Sequence, residues 1–220
     1  TIRINKRMKL FDSHCHLDDR SYKNDLKPTV KRANAAGLRA MMVVGTGLES
    51  SRRAIELSNI FNGLYASVGI HPHDAERCNE AKLKQLVQLA KDPKVKAWGE
   101  TGLDFNRMHS PRKDQERWFI RQLEISSEME LPVIFHERDT QGRFLEILNA
   151  HWGQRRSGVV HCFSGNASEL DAYLALDKKC HVACEALVKE NQIIVAGEIS
   201  AKGKADHERV IREAVADVGY

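Results

Sequence analysis

Five side chains able to bind metal stand where short apolar runs end: His14, His16, Glu100, His136 and His161. Imidazoles with a shared carboxylate form the ligand set of two-ion hydrolytic centres, whose cations lie roughly 3.5–4 Å apart. In Phe11-Asp12-Ser13-His14-Cys15-His16-Leu17-Asp18 the histidines are separated by one residue, so at the end of a strand both face the same way and can reach one ion. In Gly99-Glu100-Thr101-Gly102-Leu103-Asp104-Phe105 a carboxylate follows a buried run. That is a costly place for charge unless a cation or donor meets it; the plain alternative is a glycine-flanked surface turn. Pro132-Val133-Ile134-Phe135-His136-Glu137-Arg138-Asp139 and Val159-Val160-His161-Cys162-Phe163-Ser164-Gly165 each set a histidine behind apolar residues. One such histidine reads as packing, whereas several strand ends doing so together point to a shared centre. Ile70-His71-Pro72-His73 closes another strand, and its histidines are placed to bind phosphate or orient a leaving group. The Arg138 guanidinium matches phosphate oxygens as a clamp. Asp104 reads either as a general base or as a loop cap.

Strands and helices must alternate to bring these residues together. Strands are expected at Lys9–His14, Arg39–Val44, Leu64–Ile70, Val95–Gly99, Pro132–His136 and Val159–Phe163. Helices are expected at Asp25–Ala36 (ended by Gly37), Ser50–Phe61, Lys82–Ala90, Gln115–Met129, Gln141–His151 and Ser168–Leu176, from their apolar spacing. The strands are apolar throughout rather than alternating, the mark of strands covered on both faces. Repeated strand–helix units argue for a parallel sheet, and chemistry at each carboxyl end favours an α/β barrel over a doubly wound sheet. After Leu176 the alternation stops. Val182–Val188 and Ile193–Ile199 read as a β-hairpin across Lys189-Glu190-Asn191-Gln192, followed by a helix over Asp206–Val218.

The bulk properties fit an ordinary globular chain of 220 residues, with 42% hydrophobic and 29% charged residues. No apolar run is long enough for a membrane helix. Thr1–Lys9 is basic without an apolar core, so no secretory signal is expected, and Met8 is the expected natural start. A net charge of +4 permits attraction to a polyanion without demanding it. Five cysteines, an odd number without CxxC spacing, suit a reduced cytoplasmic protein.

The series FDSHCHLD, VGIHPHD, GETGLDF, PVIFHERD and VVHCFSG resembles the TatD family of metal-dependent deoxyribonucleases over Met8–Leu176. The resemblance implies a TIM-like, amidohydrolase-type barrel with two divalent metal ions, and hydrolysis of phosphodiester bonds in DNA. Mg2+ or Mn2+ suits such chemistry, and a His/carboxylate shell also accepts Zn2+. By matching motifs, His14 and His16 would hold one ion, His136 and His161 the other, and Glu100 would bridge them. His71, His73, Asp104 and Arg138 would surround the scissile phosphate, with Glu100, Asp104, His71 and Arg138 taking the catalytic roles.

The chain departs from that family late. Members continue to a seventh strand and an eighth ending in Glu-Thr-Asp-Ala-Pro, whose aspartate completes the site, and this signature is absent from the sequence. The stretch from Asp171 to Tyr220 instead resembles part of the amino-terminal domain of S-adenosylmethionine synthetase. There Glu185 would match a monovalent-cation ligand and Glu198 a methionine contact, but the synthetase's His-Pro-Asp-Lys motif is missing. The expected organisation is therefore an incomplete barrel of six βα units over residues 8–176 and a hairpin-plus-helix appendage over 177–220. Two readings follow: a nuclease acting on DNA, or a metal-binding remnant impaired by loss of the last strands and aspartate. An open barrel would leave sheet edges that invite self-association.

Overall fold

The computed structural model describes residues 10–152, 157–161, 172 and 173. Six strands form one sheet in sequence order: β1 (Leu10–Cys15), β2 (Leu38–Val43), β3 (Leu64–Val68), β4 (Val95–Asp104), β5 (Val133–Arg138) and β6 (Gly158–His161). Every neighbouring pair is parallel. Helices α1 (Leu26–Ala35), α2 (Leu48–Ile60), α3 (Glu80–Leu89), α4 (Arg112–Glu128) and α5 (Arg143–His151) occupy the connections, with a 3-10 segment, Pro72–Arg77, after β3. The expected helix at Ser168–Leu176 is described only at Ala172 and Tyr173, both helical. The appendage over 177–220, with Glu185 and Glu198, lies outside the described residues.

The helices form where local chemistry supports them. Asp25 precedes α1 and accepts hydrogen bonds from Thr29 and Arg32, while Gly37 (φ 108°) follows it in a conformation side chains resist. Asn79 caps α3 by accepting the Lys82 N–H. Along α4, Gln115, Trp118, Phe119, Gln122, Leu123 and Ser126 are buried at helical spacing, so one stripe faces the sheet.

Strand parity separates two layers of core. Val43, Val68, Trp98 and Val95 pack outward with the helical Leu57, Leu83 and Leu86. Val133, Phe135 and Val160 pack outward with Phe119, Phe144 and Leu148. The alternate residues Met42, Val44, Ala97 and Ile134 form a separate inner cluster with Tyr65 and Val159. In a flat sheet five lateral steps of about 4.8 Å would hold β1 and β6 roughly 24 Å apart. Here the His14 ring on β1 stacks on the His161 ring on β6 with centroids 3.7 Å apart. The sheet is therefore curled like a barrel wall, with its carboxyl ends converging, as the incomplete TIM-like barrel anticipates.

Candidate functional site

The histidines continue the inward parity of the inner cluster. His136 lies two residues beyond Ile134 and His161 two beyond Val159, and adjacent parallel registry pairs His136 with His161. Side chains two apart on a strand share a face, so apolar inner residues low in the barrel give way to imidazoles at its mouth.

Strand β4 reaches the same point differently. Trp98 faces outward, and by simple alternation Glu100 would follow it. Between Trp98 and Thr101 the registry against β5 slips by one residue, a bulge that turns Glu100 inward. Gly99 (φ 140°) and Gly102 (φ 150°) flank it, and a Cβ on either would meet the β5 backbone at Ile134 O and His136 O. The glycines thus belong to the interior of a strand running to Asp104, which removes the surface-turn reading of this segment.

Glu100 is 2% exposed and sits between histidines from several strands. Its Oε2 lies 3.4 Å from His14 Nε2, while its Oε1 lies 2.8 Å from His136 Nδ1 and 3.6 Å from His71 Nε2. His16 Nε2 approaches His14 Nε2 to 3.2 Å from a more exposed position. Asp104, fully buried, works at both ends. Its Oδ2 meets His73 Nε2 at 2.7 Å and His136 Nε2 at 3.3 Å, and its Oδ1 accepts the N–H groups of Asn106 and Arg107. It is both a loop cap and a member of the histidine cluster.

Burial pushes the Glu100 carboxyl up, but hydrogen bonds to His136 and His14 outweigh it and hold the group well below the usual carboxylate range. Asp104 shows the same balance, with burial opposed by His136, the Arg107 N–H and His73. Burial disfavours the charged form of His136, yet the flanking Asp104 and Glu100 carboxylates raise it to about 9. Burial carries His71 the other way, down to about 3 despite Glu100 nearby.

The donor set suits cations. The ligand atoms of His14, Glu100 and His161 lie within 4.8 Å of one another, as do those of His71, His73 and His136. This grouping differs from the expected one, which pairs His14 with His16 and His136 with His161. The tautomers distinguish the roles of the second group. His71 Nδ1 accepts the His73 N–H at 3.1 Å, so the neutral ring carries its proton on Nε2. A ligand needs the lone pair that this proton occupies, so in this arrangement His71 Nε2 is a hydrogen-bond donor, set 3.1 Å from His136 Nδ1 and 3.6 Å from Glu100 Oε1.

The cluster opens into a cavity of about 430 Å³ lined by His16, Thr46, His71, His73, Asp74, Glu100, Asp104, Arg107, His136, Arg138 and His161. Thr46, Asp74 and Arg107 are not among the residues expected from sequence. Nor are two buried glutamines of α4 that hold the strand ends. Gln122 accepts the Ile70 N–H (2.8 Å), donates to Ile70 O (3.0 Å) and accepts from Trp98 Nε1 (3.2 Å). Gln115 does likewise for Asp104, accepting its N–H at 2.8 Å and donating to its carbonyl at 3.1 Å. Their signal was a polar residue every seventh position within an apolar helical stripe.

A curled parallel βα sheet with a histidine–carboxylate cluster at its carboxyl ends defines an amidohydrolase-like barrel. The family model for TatD related DNase matches residues 11–201, and the chain belongs to this family. The match runs past the expected boundary at Leu176. The chain is 36% identical over 166 residues to the 3'-5' ssDNA/RNA exonuclease TatD of Shigella flexneri, covering 76% of this chain and 64% of the relative. It is 39% identical over 168 residues to the protein of that name from Pectobacterium parmentieri, covering 76% and 65%. A crystal structure of a TatD homologue from Escherichia coli superposes with a TM-score of 0.71 at 31% identity, covering 79% of this chain and 66% of that one. The chain thus spans a little under two thirds of the length of these curated relatives.

Proposed function

We propose that this chain is a metal-dependent phosphodiesterase that hydrolyses DNA with two divalent ions, Mg2+ or Mn2+ being suited and Zn2+ accepted by the same donors. The observation that carries this is Glu100: a deeply buried carboxylate whose two oxygens face different histidines, as a group shared by two cations would. In this reading His14, His16, Glu100, His136 and His161 are the metal ligands. Ions held there would supply an acidified water for attack and positive charge for the phosphate oxygens.

The remaining residues handle the substrate. Arg138, two residues beyond His136 on β5, presents its guanidinium to the scissile phosphate. His71 donates from Nε2 toward charge developing on the phosphate or its leaving oxygen. Asp104 orients His73 through Nε2. Single-stranded DNA degraded from its 3' end is the first substrate to try, since the relatives carry that description. The free thiols of Cys15 and Cys78 suit a reducing cytoplasmic location, and no helix among the described residues is long and apolar enough to cross a membrane. Self-association through a sheet edge belongs to the same reading, and a concentration-independent monomer by light scattering would remove it.

The decisive experiment combines His136→Ala with Glu100→Ala. Purified protein supplied with each metal should shorten an end-labelled oligonucleotide, and the double variant should lose this entirely while still folding by circular dichroism. Undiminished cleavage by the double variant would sink the assignment. Metal content separates ligands from substrate groups. His71→Asn should lose roughly 100-fold in kcat, the scale for one preorganised donor, while retaining its bound metal. Loss of metal in step with activity would make His71 a ligand.

A further inference from the structure

The cavity is lined by two arginines, one more than the reading above places on the scissile phosphate. Arg107 and Arg138 both line it, and among the described residues neither guanidinium has a hydrogen-bond or ion-pair partner. Elsewhere four arginines, Arg32, Arg53, Arg121 and Arg143, are paired with Asp25, Glu56, Glu124 and Glu116, but lack of a partner alone does not mark a site, and the shared cavity is what sets Arg107 and Arg138 apart. The two cavity arginines also differ in depth. Arg138 lies at the end of β5 and is half-buried, whereas Arg107 stands on the exposed turn three residues after Asp104.

That turn is held in place rather than left loose. The Asp104 carboxylate accepts the Arg107 N–H at 2.8 Å, and Asn106 Nδ2 donates to Asp139 Oδ2 at 2.6 Å. Phe105 N donates to Arg138 O at 3.0 Å. The loops after β4 and β5 are thereby tied together, so the backbone at Arg107 and at Arg138 is held in a fixed relation to the histidine cluster. Two arginines of different exposure lining one cavity match a ligand with successive anionic groups along a chain.

We propose that Arg107 binds the phosphate next to the one being cleaved, making a second phosphate subsite that selects polynucleotides over isolated diesters. This inference rests on the phosphodiesterase reading above, with Arg138 on the scissile phosphate. Each arginine–phosphate contact on a single strand releases condensed counterions, so the contact is visible in the salt dependence of binding.

The test compares two substrates and one binding measurement. Wild type, Arg107→Ala, Arg107→Lys and Arg112→Ala are assayed on a ten-nucleotide single strand and on bis(p-nitrophenyl) phosphate, which carries one phosphate. Arg112 stacks over Phe105 and does not line the cavity, so it controls for loss of any nearby arginine. Arg107→Ala should raise KM for the oligonucleotide about tenfold more than for the small diester. Arg107→Lys should recover part of that difference, and Arg112→Ala should leave the ratio of the two substrates as in wild type. Anisotropy of the labelled strand, with EDTA present so that no turnover occurs, should show a slope of log K against log salt shallower by about 0.7 in Arg107→Ala. Equal losses on both substrates, or an unchanged salt slope, would overturn the second subsite. Wild type that binds the strand with the expected slope difference but cleaves neither substrate would instead overturn the phosphodiesterase reading and leave Arg107 as a nucleic-acid contact.

Discussion

At the residue scale, the site is a line of alternating charges in which His136 stands between Glu100 and Asp104, 2.8 Å from one carboxylate and 3.3 Å from the other. Without metal a proton serves as the cation between them, and this is why His136 is raised to about 9. A group whose pKa rises on folding stabilises the fold fully below its unfolded value, near 6.5, and loses that contribution as pH climbs through the folded value. The difference from 6.5 to about 9 corresponds to roughly 3 kcal/mol. Metal-free protein in EDTA should therefore unfold at lower urea concentration at pH 9.5 than at pH 6.5. His136→Gln should flatten the dependence, and a wild-type midpoint that stays level or rises over that window would refute the proton's role. Metal displaces the same proton, so binding should release acid below pH 9 and strengthen as pH rises.

At the scale of elements, the strand ends are held by α4 as much as by the sheet. Ile70 lies past the end of β3, where ladder partners run out, and Gln122 supplies both of its backbone partners from the helix. Replacing Gln122 with Leu keeps the volume but leaves a buried N–H, a carbonyl and the Trp98 indole N–H unpartnered. At about 1–3 kcal/mol for each such group, the loss should be several kcal/mol by chemical denaturation, with His71 the first site residue to lose its place. A loss under about 0.5 kcal/mol, the scale of a surface substitution, would show that the amide is replaceable. The βα order was legible in the sequence because apolar runs of strand length alternate with helical stripes, and His14, His136 and His161 fell where those runs stop. What sequence left open has physical reasons. The bulge before Thr101 depends on pairing with β5, which no local pattern encodes, so β4 was expected to end at Gly99 and instead runs to Asp104. Gln115 and Gln122 matter only through atoms distant in sequence, and Arg107 is placed by a carboxylate whose role itself depended on the fold.

At the scale of the molecule, the candidate metal ligands come from four strands, β1, β4, β5 and β6, and the curl that unites them is carried between neighbouring strands. Helices pack on the outer face and the small inner cluster of Met42, Val44, Ala97 and Ile134 fills below the site. Imidazoles crowd the converging ends, with His14 stacked on His161 and His136 beside His71. Cations bound there would join strands that are not neighbours in the sheet, so metal should act as a cross-brace for the whole curl. Ligand present at a hundredfold its Kd adds about 2.7 kcal/mol to stability, and the form of the gain distinguishes a brace from a local contact. Hydrogen exchange with and without Mn2+ should show slower exchange at the carboxyl ends of β1, β4, β5 and β6 together, with little change at the far ends of α2 and α3. In Glu100→Gln, where the shared carboxylate is neutral, the gain should break up, surviving on one side of the sheet or vanishing. Protection confined to a single strand in the wild type would mean that the ions bind without bracing the barrel, and the histidines would then owe their convergence to packing alone.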